Sequence, residues 1–355
     1  MNILITGVCG FVGSTVAQCL LELIEGAHIV GIDNLMRPGA ETNRLRIERL
    51  GVEFIHADLR SASDIASLPK CDWVIDAAAN PSVLAGVSGS GSSRQLFEHN
   101  LAALGNVLEY CKVHRAGLLL LSSSRVYSIP ALISVPLRTH NEAFAIDESA
   151  QLADGLTVNG IGRNFSTATP VSLYGATKLA SEVIALEYGA AFDFPVWVTR
   201  CGVLAGAGQF GTPAQGIFAF WVNAHLRRRP IRYIGFDGTG YQTRDAFHPR
   251  DLTTLLVTQM RATRKDGQRV YTAGGGTANA MSLAQLTAWC DDRFGQHVPA
   301  SDKTPRLYDI PWVAMDNTEA TNDFGWQPEM SIDAILDEIA SHAVANPNWL
   351  EISHV

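Results

Sequence analysis

The stretch Met1–Gly13 reads MNILITGVCGFVG, and it decides the fold of this chain. Its apolar run Ile3-Leu4-Ile5 predicts a short, buried parallel β-strand. Three glycines follow at once with the spacing G-x-x-G-x-x-G, at Gly7, Gly10 and Gly13, and an apolar helical pattern begins directly there. A strand, a glycine-rich turn and a helix in succession predict the first unit of a parallel α/β sheet.

Each glycine has a physical role in binding a dinucleotide. Gly7 permits the tight turn, Gly10 lets a pyrophosphate approach the backbone, and Gly13 lets the helix pack close to the strand. The helix N-terminus offers free N–H groups and a positive dipole end to phosphates. A second predicted strand ends in Asp33, whose carboxylate can accept hydrogen bonds from an adenosine ribose and repels a 2′-phosphate. This unit predicts NAD rather than NADP. Taken alone, the glycine triplet has an alternative interpretation, namely an ordinary glycine-rich turn beside a buried strand.

The rest of the chain predicts a doubly wound parallel α/β sheet (a Rossmann fold) with a smaller mixed α/β C-terminal substrate lobe. In the first part, strands are predicted at 3–6, 28–33, 52–57, 73–77, 117–122 and 195–200, and helices at 12–25, 94–114 and 174–190. Later elements are a helix at 218–228, a strand at 231–235, a strand and helix within 246–260 that rejoin the main sheet, and helices at 282–294 and 331–343. We expect the NAD-binding domain to comprise 1–200 and 245–262, and the substrate lobe 201–244 and 263–355.

Composition argues against several classes of partner. A net charge of −8 disfavours nucleic acid as a ligand. No segment approaches the ~20 consecutive apolar residues of a membrane span, and the first strand begins so early that we expect no signal peptide. The six cysteines lack the spacing of metal ligands, which predicts no metal site and reduced thiols in a cytoplasmic protein.

Two segments carry side chains suited to proton transfer. Leu118–Tyr127 is a buried strand with three serines at its carboxyl end. Tyr174 and Lys178 form a Y-x-x-x-K pair, and their i, i+4 spacing places both on one face of a helix. A nearby ammonium stabilises a phenolate, so this tyrosine can take a proton from a sugar hydroxyl near neutral pH. Alone, such a pair occurs by chance on many helices, but beside a dinucleotide fold and a serine-rich strand end it favours catalysis.

Two other segments allow more than one interpretation. Ala77, Ala78 and Ala79 end the fourth predicted strand, where small side chains either leave space for the cofactor or permit tight packing of a helix. Residues 129–171 show no clear periodicity and are interrupted by several prolines and glycines. A loop of that length in a compact domain is usually functional, so we interpret it as a lid or a substrate-pocket insertion.

These features resemble the extended short-chain dehydrogenase/reductases, the group of NAD-dependent nucleotide-sugar epimerases and dehydratases. The resemblance covers nearly the whole chain. Beyond the glycines, the alanines, the serine strand and the Tyr174/Lys178 pair, it rests on Asp33-Asn34-Leu35, Asp58, Asn100 and the block Arg244-Asp245 with His248 and Asp251. In the family, helices corresponding to 94–114 and 174–190 often pair across a two-fold axis, which implies a homodimer.

The resemblance also implies the site residues. The family carries its catalytic serine or threonine three residues before a V-Y pair, so the catalytic residues are Ser123, Tyr174 and Lys178. Arg244 would bind the diphosphate of a nucleotide sugar. With the residues above, the cofactor-binding set is Gly7, Gly10, Phe11, Val12, Gly13, Asp33, Asn34, Asp58, Leu59, Ala77, Ala78, Ala79, Asn100, Ser122, Tyr174, Lys178 and Cys201. The substrate-binding set is Asn80, Ser124, Arg125, Gln209, Gln215, Arg244 and His248.

The activity implied by the resemblance is NAD-dependent epimerisation of a nucleotide-diphosphate sugar. Tyr174 would remove a hydroxyl proton while a hydride passes to NAD+, and the hydride would return to the opposite face of a transient keto-sugar. Short matches, among them Arg37-Pro38-Gly39-Ala40 and Gln209-Phe210, favour the 2-epimerases of CDP-sugars, with 4-epimerases next.

Other activities remain alternatives or are disfavoured. Dehydratases and decarboxylases of the family carry carboxylates directly before V-Y, where this chain has Ser124-Arg125, so elimination and decarboxylation are disfavoured. One alternative is a nucleotide-sugar reductase or dehydrogenase that releases NADH in each cycle. The other is a non-catalytic NAD-binding sensor, against which the intact set Ser123, Tyr174 and Lys178 argues.

Overall fold

The structure is a computed structural model that describes residues 1–87, 92–262 and 267–353 of the chain. Its strands are β1 Asn2–Thr6, β2 His28–Asp33, β3 Glu53–His56, β4 Trp73–Asp76, β5 Gly117–Ser123, β6 Leu137–His140, β7 Ala143–Ile146, β8 Leu156–Thr157, β9 Gly160–Ile161, β10 Val196–Cys201, β11 Val203–Leu204, β12 Arg232–Ile234, β13 Thr243–Phe247, β14 Val270–Ala273, β15 Ala280–Ser282, β16 Ala300–Asp302 and β17 Trp312–Val313. Its α-helices are α1 Phe11–Leu23, α2 Ala40–Arg49, α3 Ala62–Ala66, α4 Ser93–Phe97, α5 Ala103–His114, α6 Ile129–Ile133, α7 Ser172–Phe192, α8 Ile217–Leu226, α9 Pro249–Arg261, α10 Leu283–Phe294, α11 Thr318–Phe324, α12 Ile332–Ala345 and α13 Trp349–Ile352.

Seven parallel strands form the central sheet in the order β14-β10-β5-β4-β1-β2-β3. Successive side chains of β1 pack on opposite faces: Ile3 and Ile5 share a core with α1 and α9, and Leu4 shares one with α5. Burial on both faces explains why these strands are continuous apolar runs. The strand order reverses between β1 and β4, where a crevice opens at the carboxyl ends of the strands. The predicted doubly wound fold is confirmed, with all six early strands within one residue of their predicted bounds.

The smaller mixed lobe is built on short strands and three helices. β11, β13, β15 and β17 form one sheet, and β12 pairs with β16 in parallel. α8 is apolar on nearly all sides, which predicts a fully buried helix. It lies between α10 and α12, and these helices share a core that includes Trp221, Leu286 and Ile339.

One topological prediction is wrong. The strand expected near Ala246 to rejoin the central sheet is β13, and it pairs with β11, β15 and β17 instead. Only the helix after it, α9, returns to the central core, where Leu252 and Leu255 pack. The seventh strand is β14, which pairs with β10, and a domain boundary at residue 262 would separate it from that sheet. Strands of four or five residues carry too little pattern to show which sheet they join. The rest of the domain division stays a prediction.

The segment 129–171 is not a structureless loop. It contains α6, the antiparallel pair β6–β7 and the short pair β8–β9. Its Phe165 and Ile161 pack in one core with Trp312 and Val313, so the segment has apolar anchors that its irregular sequence does not display. Helices α2 and α3 were also not predicted, and the predicted helix 94–114 is interrupted by a π-helical turn, Glu98–Ala102.

A pair of Gly→Ala variants tests the close packing of α1. A Cβ at Gly13 would lie 2.3 Å from the carbonyl oxygen of Gly7, whereas a Cβ at Gly105 in α5 would meet nothing within 4 Å. We expect Gly13→Ala to lower the free energy of unfolding by about 1–3 kcal/mol or more, because backbone must move. Gly105→Ala should raise it by up to ~1 kcal/mol, because alanine is the better helix former. Urea denaturation of both variants measures this difference, and equal stabilities would contradict it.

Candidate functional site

The glycine turn leaves no room for side chains on the side that faces β4 and α1. Gly7 has a φ of +64°, and a Cβ there would lie 2.8 Å from the Cα of Ala78. Gly10 N–H donates to the carbonyl oxygen of Gly7 at 3.0 Å, which closes the turn just before α1. The first N–H groups of α1 have no partner within the helix and carry its positive dipole end. The close approach of backbone at Gly7 and the free N–H groups of α1 together form a turn that fits the phosphates of a dinucleotide.

A cavity of about 360 Å³ opens from this turn across the carboxyl ends of β1 to β4. The predicted cofactor residues that line it are Gly7, Gly10, Asp33, Asn34, Asp58, Leu59, Ala77, Ala78 and Ala79. Asn80, predicted to bind substrate, also lines this cavity. The lining residues extend from the glycine turn to the end of β3, as in the elongated crevice that binds a dinucleotide.

Asp33 is held firmly at the end of β2. Its Oδ2 accepts a hydrogen bond from Cys9 N–H at 3.0 Å, and its Oδ1 accepts one from Leu35 N–H at 2.8 Å. Burial raises the pKa of this carboxyl above its usual value. Each carboxylate oxygen can accept a further bond, so Asp33 can still bind ribose hydroxyls.

Two arginines on the cavity wall were missed by the sequence analysis. Arg60 donates to both oxygens of Asp58, at 2.9 and 2.6 Å, and holds the pKa of that carboxyl well below its usual range. Arg37 donates to the carbonyl oxygen of Phe210 at 3.1 Å. The sequence did contain a signal for both arginines, because Arg37 lies three positions after Asn34 and Arg60 lies two positions after Asp58, and both of those residues were predicted to bind the cofactor.

Asn100 positions the loop that follows β4. Its Oδ1 accepts from Asn80 N–H at 2.8 Å, and its Nδ2 donates to Asn80 O at 3.0 Å and to Thr177 Oγ1 at 3.2 Å. Both hydrogen-bonding groups of the side chain are thus used by the protein. The amide ties the cavity wall to α7 and to the π-helical turn on which it lies.

The predicted catalytic residues lie where α7 crosses the end of β5. Tyr174 and Lys178 are buried on α7, and Lys178 Nζ donates to Leu121 O at 2.9 Å. Ser123 ends β5, and its Oγ accepts from Arg125 N–H at 3.1 Å. The helix can approach the strand end because residue 175 is glycine: a Cβ there would lie 2.1 Å from the carbonyl oxygen of Arg125.

Several predicted cofactor residues do not line the cavity at the glycine turn, among the residues that the structure describes. The hydroxyl of Ser122 is buried and donates to Glu182 Oε1 at 2.5 Å, so its proton is used within the fold, and the cofactor role of Ser122 stays a prediction. Cys201 lies in the core, and burial raises the pKa of its thiol to about 12. Phe11 and Val12 pack against the core at the start of α1.

A second cavity, of about 410 Å³, is lined by residues from both parts of the chain. Arg125 lines it and donates to Tyr308 O at 3.1 Å, while Arg244 donates to Ile310 O at 2.7 Å and lies 3.5 Å from Asp309. Burial, together with the neighbouring guanidinium of Arg244, lowers the pKa of Arg125 to about 10.

The wall of the second cavity combines cations with apolar surface. Four arginines line the cavity, Arg125, Arg232, Arg244 and Arg306, and among the described lining residues Asp309 is the one carboxylate. Apolar lining residues include Phe218, Trp221 and Ile231. Such a wall fits a ligand with an anionic part and a flat, less polar part. Residues 303–309 have no periodic pattern, so no sequence signal marked Arg306 or Asp309.

Besides Asn80, which lines the first cavity, four predicted substrate residues lie outside the described wall of the second cavity. Gln209 Nε2 donates to Leu204 O at 2.7 Å, and the backbone of Gln215 forms a tight turn with Thr212. His248 caps α9 by accepting from Arg250 N–H at 3.1 Å, and its Nε2 lies 2.9 Å from Glu338. The fourth, Ser124, is buried in the turn after β5. The Nε2 of Gln209 and the ring of His248 are bonded within the fold, whereas Gln209 Oε1 and Gln215 Nε2 are buried without a hydrogen-bond partner among the described residues. The substrate roles of these residues stay predictions.

The chain segment after β4 runs from one cavity to the other. Asn80 and Pro81 line the first cavity, and Ser82 to Leu84 line the second. Tyr174 packs beside this segment, against Ala85 and Val83. The predicted proton-transfer residue therefore packs against the segment that links the two cavities, although its side chain lines neither of them among the described residues.

Within residues 1–87, 92–262 and 267–353, no three His, Cys, Asp or Glu side chains cluster as a metal site would require. The same residues include no helix with both the length and the apolar character needed to span a membrane.

Comparison with known proteins gives similar proteins over the full length. CDP-paratose 2-epimerase of Salmonella typhi is 26% identical over 347 residues, covering 93% of this chain and 96% of that protein. UDP-glucuronate 4-epimerase of Thermodesulfobacterium geofontis is 25% identical, with 97% and 96% covered. UDP-glucuronic acid 4-epimerase from Bacillus cereus, solved in complex with UDP-glucuronic acid and NAD, superposes with a TM-score of 0.75 at 21% identity, covering 97% of this chain and 99% of that one.

Residues 3–274 match the family described as NAD dependent epimerase/dehydratase, which is most of the chain. The match includes the glycine turn, Asp33, the serine strand, Tyr174 and Lys178, and it confirms the predicted family, the predicted NAD cofactor and the prediction of an enzyme. The chain belongs to the NAD dependent epimerase/dehydratase family.

Proposed function

We propose that this protein is a nucleotide-sugar epimerase, with inversion at C2 of a CDP-sugar favoured and inversion at C4 next. The observation that carries the proposal is that the segment linking the two cavities packs against Tyr174. One cavity has the glycine cradle for a dinucleotide, and the other has the guanidiniums for a diphosphate. Among the similar proteins, CDP-paratose 2-epimerase supports the C2 alternative and UDP-glucuronate 4-epimerase the C4 alternative.

The catalytic residues divide the proton chemistry between them. Tyr174 takes the proton from the reacting hydroxyl and returns it, as a general base and then a general acid. Ser123 hydrogen-bonds the reacting oxygen through its hydroxyl. Lys178 donates one hydrogen bond to Leu121 O, and we assign its remaining N–H groups to the cofactor ribose and to stabilising the phenolate of Tyr174. NAD supplies a reversible acceptor for the hydride of the sugar carbon.

The second cavity holds the nucleotide sugar by charge and by apolar contact. Arg125, Arg244 and Arg306 bind the diphosphate, a dianion that complements a wall on which four guanidiniums outnumber the single described carboxylate, that of Asp309. Planar guanidiniums suit phosphate oxygens, because they donate in fixed, paired directions. The base rests on the apolar side formed by Phe218 and its neighbours. Diphosphate binding at Arg125, two residues after Ser123, places the sugar next to the catalytic hydroxyls.

Substrate screening tests the proposal. CDP-, UDP-, GDP- and dTDP-sugars are added to the purified protein, and binding is followed by thermal shift, since a ligand of the native state raises its stability. Proton NMR of each binding sugar then identifies the inverted carbon. We expect inversion without net formation of NADH, and NAD retained through purification. Net oxidation or reduction of the sugar would instead establish the dehydrogenase alternative.

The first prediction concerns Tyr174→Phe, which keeps the ring and removes the proton acceptor. Turnover should fall by about 10²–10⁴-fold, the usual contribution of a general acid–base group, while nucleotide-sugar binding survives. Single-turnover reduction of bound NAD+, followed by nicotinamide absorbance, measures the rate. Tyr188→Phe is the matched control, because Tyr188 lies on the same helix and its hydroxyl donates a hydrogen bond to the exposed carboxylate of Glu109. A wild-type rate in Tyr174→Phe would show that Tyr174 is not the base.

The second prediction concerns the choice of cofactor by Asp33. Asp33→Asn retains one acceptor for its backbone partners but removes the charge, so NAD+ affinity should fall by about tenfold or more, as for other hydrogen bonds to charged groups. Discrimination against NADP+ should also weaken, because the repulsion of a 2′-phosphate is lost. Titration of both dinucleotides into cofactor-free protein measures these effects. Asp193→Asn, at the exposed end of α7, serves as the control, and preference of the wild type for NADP+ would contradict the assignment.

The third prediction concerns assembly, since we propose a homodimer through α5 and α7. These two helices pack side by side and leave apolar side chains exposed, including Val113 at 71% and Val183 at 57%. Burial of such a face by a second copy explains its composition. Val183→Asp should give monomers, because each interface would then bury two unpaired carboxylates. Light scattering compares it with Val344→Asp on α12, an equally exposed site at 63%; a monomeric wild type would contradict the proposal.

A further inference from the structure

The buried carboxylate of Glu182, on the helix α7 that carries Tyr174 and Lys178, binds two neighbouring side chains. Glu182 Oε1 accepts the hydrogen bond from Ser122 Oγ at 2.5 Å. Arg200 Nε donates to both carboxylate oxygens, at 3.0 and 3.1 Å, and its Nη2 donates to Oε2 at 2.7 Å. The side chains of Arg200 and Glu182 are 9% and 3% exposed, so water barely reaches this ion pair. We refer to these three residues as the Ser122–Glu182–Arg200 network.

The network joins two strands to one helix. Ser122 on β5 and Arg200 on β10 are register partners on neighbouring parallel strands, and Glu182 reaches both of them from α7. The remaining guanidinium nitrogen, Nη1, donates to Arg163 O at 2.9 Å, and the guanidinium lies 5.2 Å from the centre of the Tyr127 ring. Contacts with three other segments of the chain therefore determine where the guanidinium lies.

The network is adjacent to all three predicted catalytic residues. Ser122 directly precedes Ser123, and Glu182 follows Lys178 by one helical turn and Tyr174 by two. Lys178 Nζ also donates to the carbonyl oxygen of the residue before Ser122, at 2.9 Å. Consecutive residues of β5 thus hold consecutive turns of α7, which limits sliding and rotation of the helix over the strand.

Stability alone does not explain this arrangement. Removing an ion pair from water costs so much free energy that well-packed apolar residues of the same volume often stabilise a fold as well or better. Directional bonds, unlike apolar contacts, define the relative position of the elements they join. Precise placement matters in a catalytic site, because a displacement of about 1 Å can lower a rate by about 10²-fold.

We propose that Ser122, Glu182 and Arg200 are positioning residues. By holding α7 in a fixed position on β5, they keep the hydroxyl of Tyr174 at the correct distance and angle from the hydroxyl of Ser123. For catalysis this inference rests on the proposed function. It gives Ser122 a role through Glu182, in addition to the direct cofactor contact that stays a prediction from the sequence.

The test uses Ser122→Ala in the full-length protein, because replacing Glu182 or Arg200 would leave a buried charge without its partner and destabilise the fold. The rate of single-turnover NAD+ reduction should fall by about tenfold, while nucleotide-sugar affinity and NAD content change less than about twofold. Ser122→Thr restores the hydroxyl and should recover most of the rate. Ser181→Ala is the matched control, because this equally buried hydroxyl of α7 donates to Thr177 O and Asn100 O, outside the network.

Amide hydrogen exchange gives a second readout that needs no turnover. In Ser122→Ala, peptides that cover 172–182 should exchange about threefold faster or more, since α7 loses a tether to β5, and Ser181→Ala should show no such change. If Ser122→Ala matches Ser181→Ala in both rate and exchange, the positioning role is wrong. If the wild-type protein reduces NAD+ with none of the nucleotide sugars, the proposed function fails, and the exchange comparison alone decides the positioning role.

Discussion

The contact of backbone with backbone around Gly7 is the constraint on which the rest of the structure depends. Helix α1 begins so close to β1 that a Cβ at Gly13 would overlap the carbonyl oxygen of Gly7, and Gly7 itself touches the chain after β4. This proximity orients the first turn of α1 towards the crevice where the strand order reverses. With side chains there, the helix would stand away from the sheet, and the phosphate cradle would be lost. The carboxyl ends of the other strands add their polar groups around this point.

The two buried sets of charges differ in how they are compensated. The guanidinium of Arg200 has a carboxylate, a carbonyl oxygen and an aromatic ring as partners, so it is satisfied within the fold. Arg125 and Arg244 instead donate to main-chain carbonyl oxygens beside one carboxylate, Asp309, and burial lowers the pKa of both arginines. Burial of cations in excess over anions is costly, and an anionic ligand relieves that cost. The first set ties α7 to β5 and β10, and the second set is suited to bind an anionic ligand.

Much of the central sheet could be predicted because its sequence signals are local. The glycine spacing, the apolar runs and the Y-x-x-x-K pair are each contained in a segment of about ten residues, so each can be recognised without knowledge of distant residues. The structure brings these segments together as expected. The mixed lobe was harder, since strands as short as β11 and β17 have no periodicity to read. The segment 129–171 was misjudged for a related reason: its apolar residues are anchored by Trp312 and Val313, far away in the sequence. Arg306 and Asp309 likewise reach the cavity from a stretch without regular structure.

By itself, the sequence determined the fold class, the dinucleotide turn, the acidic residue at the end of β2 and the family, because each depends on residue types at short, fixed spacings. Only the tertiary structure decided which polar groups face a cavity and which are used internally. Ser122 and Ser123 are neighbours of the same type, yet the alternation of a strand sends the hydroxyl of Ser122 to Glu182 and leaves that of Ser123 at the strand end beside the backbone of Arg125. Such assignments depend on partners 60 residues away in the chain, which no local pattern contains.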